Sequence, residues 1–271
     1  MKNIFIIDSN TKYLSISENV SLILDIQTKN IISQYEKICF IDNYNEKIYW
    51  LPDTIKTIRF EVNYEYPLDN LPSELTKVVF LFECNQKMDN LPMNLKIIYF
   101  GMNFNQSLDM LPESVEEIYL LASFNRPVDD LPRGLKILTL SNAFSYPVSN
   151  LPRNLEELSI GDSFVHPLIN LPSSLQTIKL GNGFREKITQ LPQKLKQIII
   201  PSKYKYLNEF KLVWKNFHTI NETHGMITFV RINKNKSNDE IKKTEQTKSI
   251  ISTINSGFEN FLSYIQYDIF E

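Results

Sequence analysis

Hydrophobic positions in this chain recur every twenty residues, and the beat holds without a slip over most of its length. Positions are counted from the Leu of each Leu-Pro pair, Leu51 to Leu191. Position 5 then reads Ile55, Leu75, Leu95, Val115, Leu135, Leu155, Leu175 and Leu195. Positions 8 and 10 are aliphatic or Phe throughout, from Ile58 and Phe60 to Ile198 and Ile200. Position 14 is aromatic from Tyr64 to Tyr204, with Cys84 the exception, and position 18 is mostly aliphatic. The step from 8 to 10 is the alternation of a strand with one buried face. A fixed period of this length marks a stack of repeated coils.

Each coil is predicted to hold one short strand at positions 6–10 and to return through turns and extended chain. Proline at position 2 of every unit pushes the residue before it to an extended conformation and forbids long helices. Stacked coils place equal positions about 4.8 Å apart, so their strands form a parallel sheet. The expected fold is mainly β: a single-superhelix solenoid with one parallel sheet. One coil buries too little to order itself, so each must be covered by its neighbours and the ends need caps.

The ends read differently. Residues 31–50 fit as a worn repeat through Tyr35, Ile38, Phe40, Tyr44 and Ile48, so the solenoid is expected over 31–205. Residues 1–30 read as an N-terminal cap with strands at Asn3–Ile7 and Val20–Ile26. Residues 206–232 read as a C-terminal cap, with Leu207–Phe217 packing on the end and Met226–Ile232 a strand. Residues 233–248 are polar and unable to bury a core. From there Ile251, Ile254, Phe258, Phe261, Leu262, Ile265 and Ile269 recur at the three- and four-residue steps of an amphipathic helix. Docking of that helix on the solenoid is expected, with self-association or docking on a partner as the alternatives. Its acidic polar face (Glu259, Asp268, Glu271) argues against membrane binding.

The spacing L-x-x-L-x-L at positions 5, 8 and 10 resembles the leucine-rich repeat, at a length with no room for a convex-side helix. Only Asn63 and Asn103 occupy position 13, where that family expects Asn. Phe124–Pro127 (FNRP), Phe104–Ser107 (FNQS) and Cys84–Lys87 (CNQK) each precede an aliphatic residue and then Leu-Pro. Together they resemble the FNIP repeat, a short leucine-rich-type repeat of social amoebae and of giant viruses infecting amoebae. The resemblance covers about 31–205; FSYP at 144–147 and FVHP at 164–167 keep the spacing but lose the Asn. It implies a protein-binding scaffold in an amoebal or amoeba-virus cytoplasm. An F-box, frequent in the viral members, would imply a ubiquitin-ligase substrate receptor, but residues 1–50 show no such helical pattern.

Composition narrows the function classes. Of 13 prolines, twelve fall at positions 2 and 17, and Pro201 closes the array. Only seven glycines are present, which removes most phosphate-cradling loops. Lys+Arg 29 against Asp+Glu 31 leaves net charge −2, without the basic excess that nucleic-acid binding needs. No apolar run reaches the roughly 18 residues of a membrane helix, and Met1–Asn10 is too short and acidic for a secretory signal. Two cysteines make no disulfide scaffold and suit a reducing, intracellular setting. Cys39 and Cys84 fall two coils apart at different positions, so both are expected as free thiols.

Candidate chemistry is sparse. His166 occupies a variable surface position, and His218 and His224 have no cysteine nearby, so no zinc site is expected. Asp69, Asp89, Asp109 and Asp129 share position 19; turn hydrogen bonding is the expected role, and a row of calcium ions the alternative. No Ser/His/Asp order or P-loop occurs, so neither an enzyme nor a cofactor is expected. Surface remains. Positions 7, 9 and 11 should face outward, and there Val79, Leu81, Ile97, Tyr99, Tyr119 and Leu121 form a candidate partner-binding patch. The partner would be another protein, a host protein if the chain is viral. The N-terminal region or the C-terminal helix covering the patch is the alternative reading. A structural or self-associating component built through the C-terminal helix is the other class of function.

Overall fold

The computed structural model describes residues 5–7, 13–17, 26–41, 44, 46–48, 50–121 and 123–232. In the repeats each strand begins at position 7 and all but two end at position 10: β3 (Lys37–Phe40), β4 (Thr57–Phe60), β5 (Lys77–Phe80), β6 (Ile97–Phe100), β7 (Glu117–Leu120), β8 (Ile137–Thr139), β9 (Glu157–Ile160), β10 (Thr177–Leu180) and β11 (Gln197–Pro201). Each pairs in parallel with the next at a register of twenty residues, as in Ile38↔Ile58 and Ile178↔Ile198. Positions 1, 5, 8, 10, 14 and 18 line one continuous core; Leu95, Ile98, Phe100 and Phe124 are completely buried in it. The expected solenoid with a single parallel sheet is the observed fold.

The proline has a defined task. In all eight units the carbonyl of the position-2 proline accepts the N–H of position 5 across a turn, at 3.0–3.2 Å, from Pro52–Ile55 to Pro192–Leu195. The ladder of each new strand opens with two donors on one acceptor: the N–H groups of Lys96 and Ile97 both reach the Thr76 carbonyl. On the return path side chains bond to the backbone of the adjacent coil. Asn85 Oδ1 accepts the Asn105 N–H at 2.8 Å, Asn105 that of Asn125 at 2.9 Å, and Asn125 that of Ser145 at 3.0 Å. The Asn of the Phe-Asn strings is thus a rung that satisfies a donor no strand would reach.

Ring spacing sets the curvature. Phe104, Phe124, Phe144, Phe164 and Phe184 stack nearly parallel with centroids 6.2–6.3 Å apart. On the opposite side of the sheet, Tyr99 and Tyr119 stack at 4.2 Å with planes 7° apart. Strands between these layers lie about 4.8 Å apart, so over a layer depth of about 10 Å successive coils tilt by roughly 8°. The outward sheet face is therefore concave, and the turns fan out on the convex side.

Both ends depart from the repeat. The first strands, β1 (Phe5–Ile7) and β2 (Tyr13–Ile16), pair antiparallel, and β2 then pairs in parallel with β3. Here the register is Leu14↔Ile38, a coil four residues longer, which accommodates helix α1 (Ile26–Ile32). A strand over Val20–Ile26 is thus corrected at its end, since Ile26 opens α1; 18–25 lie outside the described residues. At the other end, helix α2 (Leu207–Val213) buries Phe210 against Phe229 and Phe217, with centroids 5.1 and 6.4 Å away. The hairpin of β12 (Phe217–Thr223) and β13 (Met226–Arg231) closes the sheet, β13 running antiparallel to β11. His224 (φ 49°) and Gly225 (φ 73°) form its two-residue turn, the left-handed pair that matches strand twist. Residues 233–271, including the expected C-terminal helix, lie outside the described residues.

Candidate partner-binding face

The concave face is built by positions 7, 9 and 11, which alternate with the core positions along each strand. At its centre Tyr99 and Tyr119 stack, and the Lys77 ammonium lies 5.3 Å from the Tyr99 ring centroid. Tyr119 donates its hydroxyl to Glu117 at 2.9 Å. Burial pushes the Tyr119 phenol above its ordinary range, and the neighbouring Tyr99 and Glu117 push it further. Tyr119 therefore keeps its hydroxyl proton at physiological pH.

The six candidate residues do sit on this one face, but they are less open than their outward direction implies. Val79, Leu81 and Leu121 are buried, at 6, 9 and 9% exposure, while Ile97, Tyr99 and Tyr119 are half-buried. Val79 and Leu81 pack with Tyr99 into a small apolar cluster separate from the main core. Curvature supplies the reason: on the concave side neighbouring coils converge to near van der Waals contact, so side chains shield each other. An expectation of a freely exposed patch is corrected to a shallow aromatic and aliphatic floor.

Charged residues frame that floor. Toward the N-terminal end stand Lys37, Lys77 and Arg59, the last buried and paired to Glu61 at 2.8 Å. Toward the C-terminal end stand Glu117 and Glu157 at position 7. Burial raises the Glu157 carboxyl above its ordinary value, and Glu117 and Glu156 add to this. Lys179 is lowered by burial, with Asp162 opposing. Their contribution lay in positions 7 and 9 of the repeat all along, but charge on a single unit gives no sign of a gradient across nine. Outside the concave face the position-6 column alternates in charge from Lys96 to Glu156, and Glu116 bonds Lys96 at 2.9 Å and Lys136 at 2.5 Å. Those two ammonium groups hold the Glu116 carboxyl below its ordinary value.

Elsewhere the titratable candidates are occupied structurally. Cys39 and Cys84 are buried free thiols, and desolvation raises both far above the ordinary thiol range. Cys84 stands in the aromatic column. His166 donates from Nε2 to the Ser145 carbonyl at 2.7 Å and sits edge-on to Phe164. His218 is exposed in β12 and His224 is in the hairpin turn. The position-19 aspartates are exposed; Asp69 accepts the Asn90 side-chain amide at 3.4 Å, while the turn hydrogen bonds at the corner go to the proline carbonyls. Among the described residues no three His, Cys, Asp or Glu side chains converge as metal ligands would, and no helix is long and apolar enough to cross a membrane.

Residues 85–122 and 148–183 match the family model of the FNIP repeat, across the coils whose Phe-Asn and Leu-Pro positions were just described. These two stretches are FNIP repeats. In the FNIP unit the Phe is the convex-side ring, the Asn the rung to the next coil, and Leu-Pro the corner that starts the strand. Among solved structures the chain is similar to CroV588, a giant-virus protein described as a novel circular LRR structure, with 27% identity and a TM-score of 0.62. The likeness covers 72% of this chain but only 31% of that one, so the chain spans under a third of its neighbour's length. No curated protein sequence matches.

Proposed function

We propose that this FNIP-repeat solenoid is a non-enzymatic scaffold that binds a partner protein through the concave face of its sheet. One observation carries the reading: the stacked Tyr99–Tyr119 pair, set among Val79, Leu81, Ile97 and Leu121, half-way along the face. Large rings already held by each other lose little side-chain freedom on binding, and tyrosines offer both apolar area and a hydroxyl. Charges at both ends of the floor would orient the partner and exclude wrong ones. Leucine-rich solenoids serve in general as such scaffolds, which supports the reading at the level of fold.

The test compares wild type with the Tyr99→Glu/Tyr119→Glu variant. Both are used as bait in extract of the cell the protein comes from, with equal folding checked by circular dichroism. Partners recovered by wild type should be lost from the variant. Recovery of the same partners by both would remove the concave face from consideration.

A further inference from the structure

We infer that the C-terminal cap docks on an anionic lipid surface, through the exposed end of α2 and the lysines around it. The site is separate from the concave face and holds the solenoid on a bilayer while that face stays open to a partner.

Charge is unevenly placed along the chain. The balance of −2 combines a basic C-terminal end with an acidic remainder. Residues 185–215, from the last coils through α2, carry eight Lys and Arg against Glu186 and Glu209, which leaves 21 against 29 for the rest. The Glu209 carboxylate is already matched by the Lys187 ammonium at 2.5 Å. Lys203, Lys205, Lys211 and Lys215 are all exposed. The acids that speak against membrane binding by residues 249–271 lie outside this stretch.

Amid these lysines stands an apolar tip. Leu212 and Val213 are 68 and 60% exposed, and among the described residues no other adjacent pair of large apolar side chains is so open. Their direction follows from the helix. Phe210 faces the core against Phe229 and Phe217, and at 3.6 residues per turn Leu212 points about 200° away from it. Lys211 then lies on the flank between them, and Lys215 follows the helix end. Val213, Trp214 and Tyr206 border one shallow cleft with Lys187, and the Lys205 ammonium lies 5.0 Å from the Tyr206 ring centroid. The lysines before α2 and the tip within it therefore belong to one surface. Exposed aliphatics ringed by lysines, with half-buried Tyr and Trp at their margin, suit the boundary between headgroups and acyl chains. A phosphate polymer would match the lysines but leave Leu212 and Val213 in water.

Orientation keeps the two surfaces apart. Phe229, against which α2 packs, pairs with the core residue Ile198 across β13 and β11. The helix thus lies on the core side of the sheet, opposite Tyr99 and Tyr119. With seven residues, α2 is too short to bind as a free amphipathic helix, so apolar and electrostatic contributions must act together. Each lysine close to an anionic leaflet contributes about five-fold in affinity. Two aliphatic side chains half withdrawn from water contribute about ten-fold or more.

The experiment sediments the full chain with phosphatidylcholine vesicles, made with or without phosphatidylserine as about one lipid in three. Wild type should bind the phosphatidylserine vesicles, lose that binding at high salt, and stay in solution with phosphatidylcholine alone. Lys211→Ala/Lys215→Ala should weaken binding about 25-fold. Leu212→Ser/Val213→Ser should weaken it by about ten-fold or more. All four side chains are exposed, and circular dichroism checks that each variant keeps the wild-type fold. Tyr99→Glu/Tyr119→Glu should bind vesicles as wild type does, so the cap and the concave face stand or fall separately. No binding by wild type, or equal binding to both kinds of vesicle, would overturn the inference. Vesicle binding untouched by Leu212→Ser/Val213→Ser would also overturn it, since charge alone would then be at work and a phosphate polymer would be the better partner.

Discussion

Asn125→Ala is expected to remove one rung from the convex side and to lower stability by about 1–3 kcal/mol. The figure follows from the geometry. Asn125 Oδ1 accepts the Ser145 N–H at 3.0 Å and the Ser145 hydroxyl at 3.1 Å. Alanine keeps the Asn125 N–H bonded to Asn105, at 2.9 Å, so only the bonds toward the following coil are lost. The Ser145 hydroxyl can turn to water, but its half-buried N–H cannot, and an unsatisfied donor costs more than an average hydrogen bond contributes. Asn125→Asp retains the same acceptor in the same shape and should stay within about 0.5 kcal/mol of wild type. At roughly 2–4 °C per kcal/mol for a chain of this size, a loss of about 2 kcal/mol lowers Tm by about 4–8 °C. Thermal unfolding followed by far-ultraviolet circular dichroism reads both variants. If Ala and Asp lower Tm equally, the acceptor role is wrong and the side chain matters only through packing or turn propensity.

Phe144→Ala, in the middle of the ring column between Phe124 and Phe164 at 6.3 Å each, should cost about 3–5 kcal/mol in guanidinium unfolding, and Phe144→Leu clearly less. Equal losses would mean the column collapses around any aliphatic residue. Gly183→Ala should destabilise strongly, because a Cβ there would collide with the Asp162 carbonyl oxygen, while Gly134→Ala, whose nearest contact is Glu113 O at 3.4 Å, should be close to neutral. Differential scanning calorimetry of the pair checks the contrast. Glu116 should titrate below an ordinary glutamate in a carbon-detected NMR titration, since Lys96 and Lys136 favour its charged form. With the folded value depressed, its contribution is complete above the unfolded value and fades as pH falls through the folded one. Being a surface pair, it should amount to less than about 1 kcal/mol and weaken with salt. A Glu116 midpoint unmoved by Lys96→Met/Lys136→Met would contradict the assignment.

The core was legible because burial in a solenoid is a property of residue type at a fixed period. Core positions such as those of Leu95, Ile98, Phe100 and Phe124 declare themselves in every unit, and these four side chains are all buried. Strand β12 was not legible: Phe217–Thr223 (FHTINET) is a sheet edge with mostly polar, exposed side chains and no alternation to read. The N-terminal coil misled for another reason. Its strand, Tyr13–Ile16, precedes Lys37–Phe40 by twenty-four residues because α1 takes up four more residues of chain, so it falls off the twenty-residue beat. At the candidate face the outward direction of the side chains was legible but not their exposure. Whether Val79 faces water depends on the tilt summed over several coils, which no single unit encodes. The Phe-Asn string was likewise visible as a pattern, while its task appears only when the next coil is laid beside it.

The twenty-residue register also bears on how the chain reaches its fold. Parallel sheets ordinarily join strands far apart in sequence, and the entropy of closing those loops makes them slow to form. Here the strand pairs, the Asn rungs and the ring contacts of the repeats all join residues close to twenty apart, in a chain of 271. The relative contact order of the array is then about 0.07, in the range of helical bundles rather than of β sandwiches. An all-β protein of this design should fold by local growth, one coil templating the next from whichever stretch orders first.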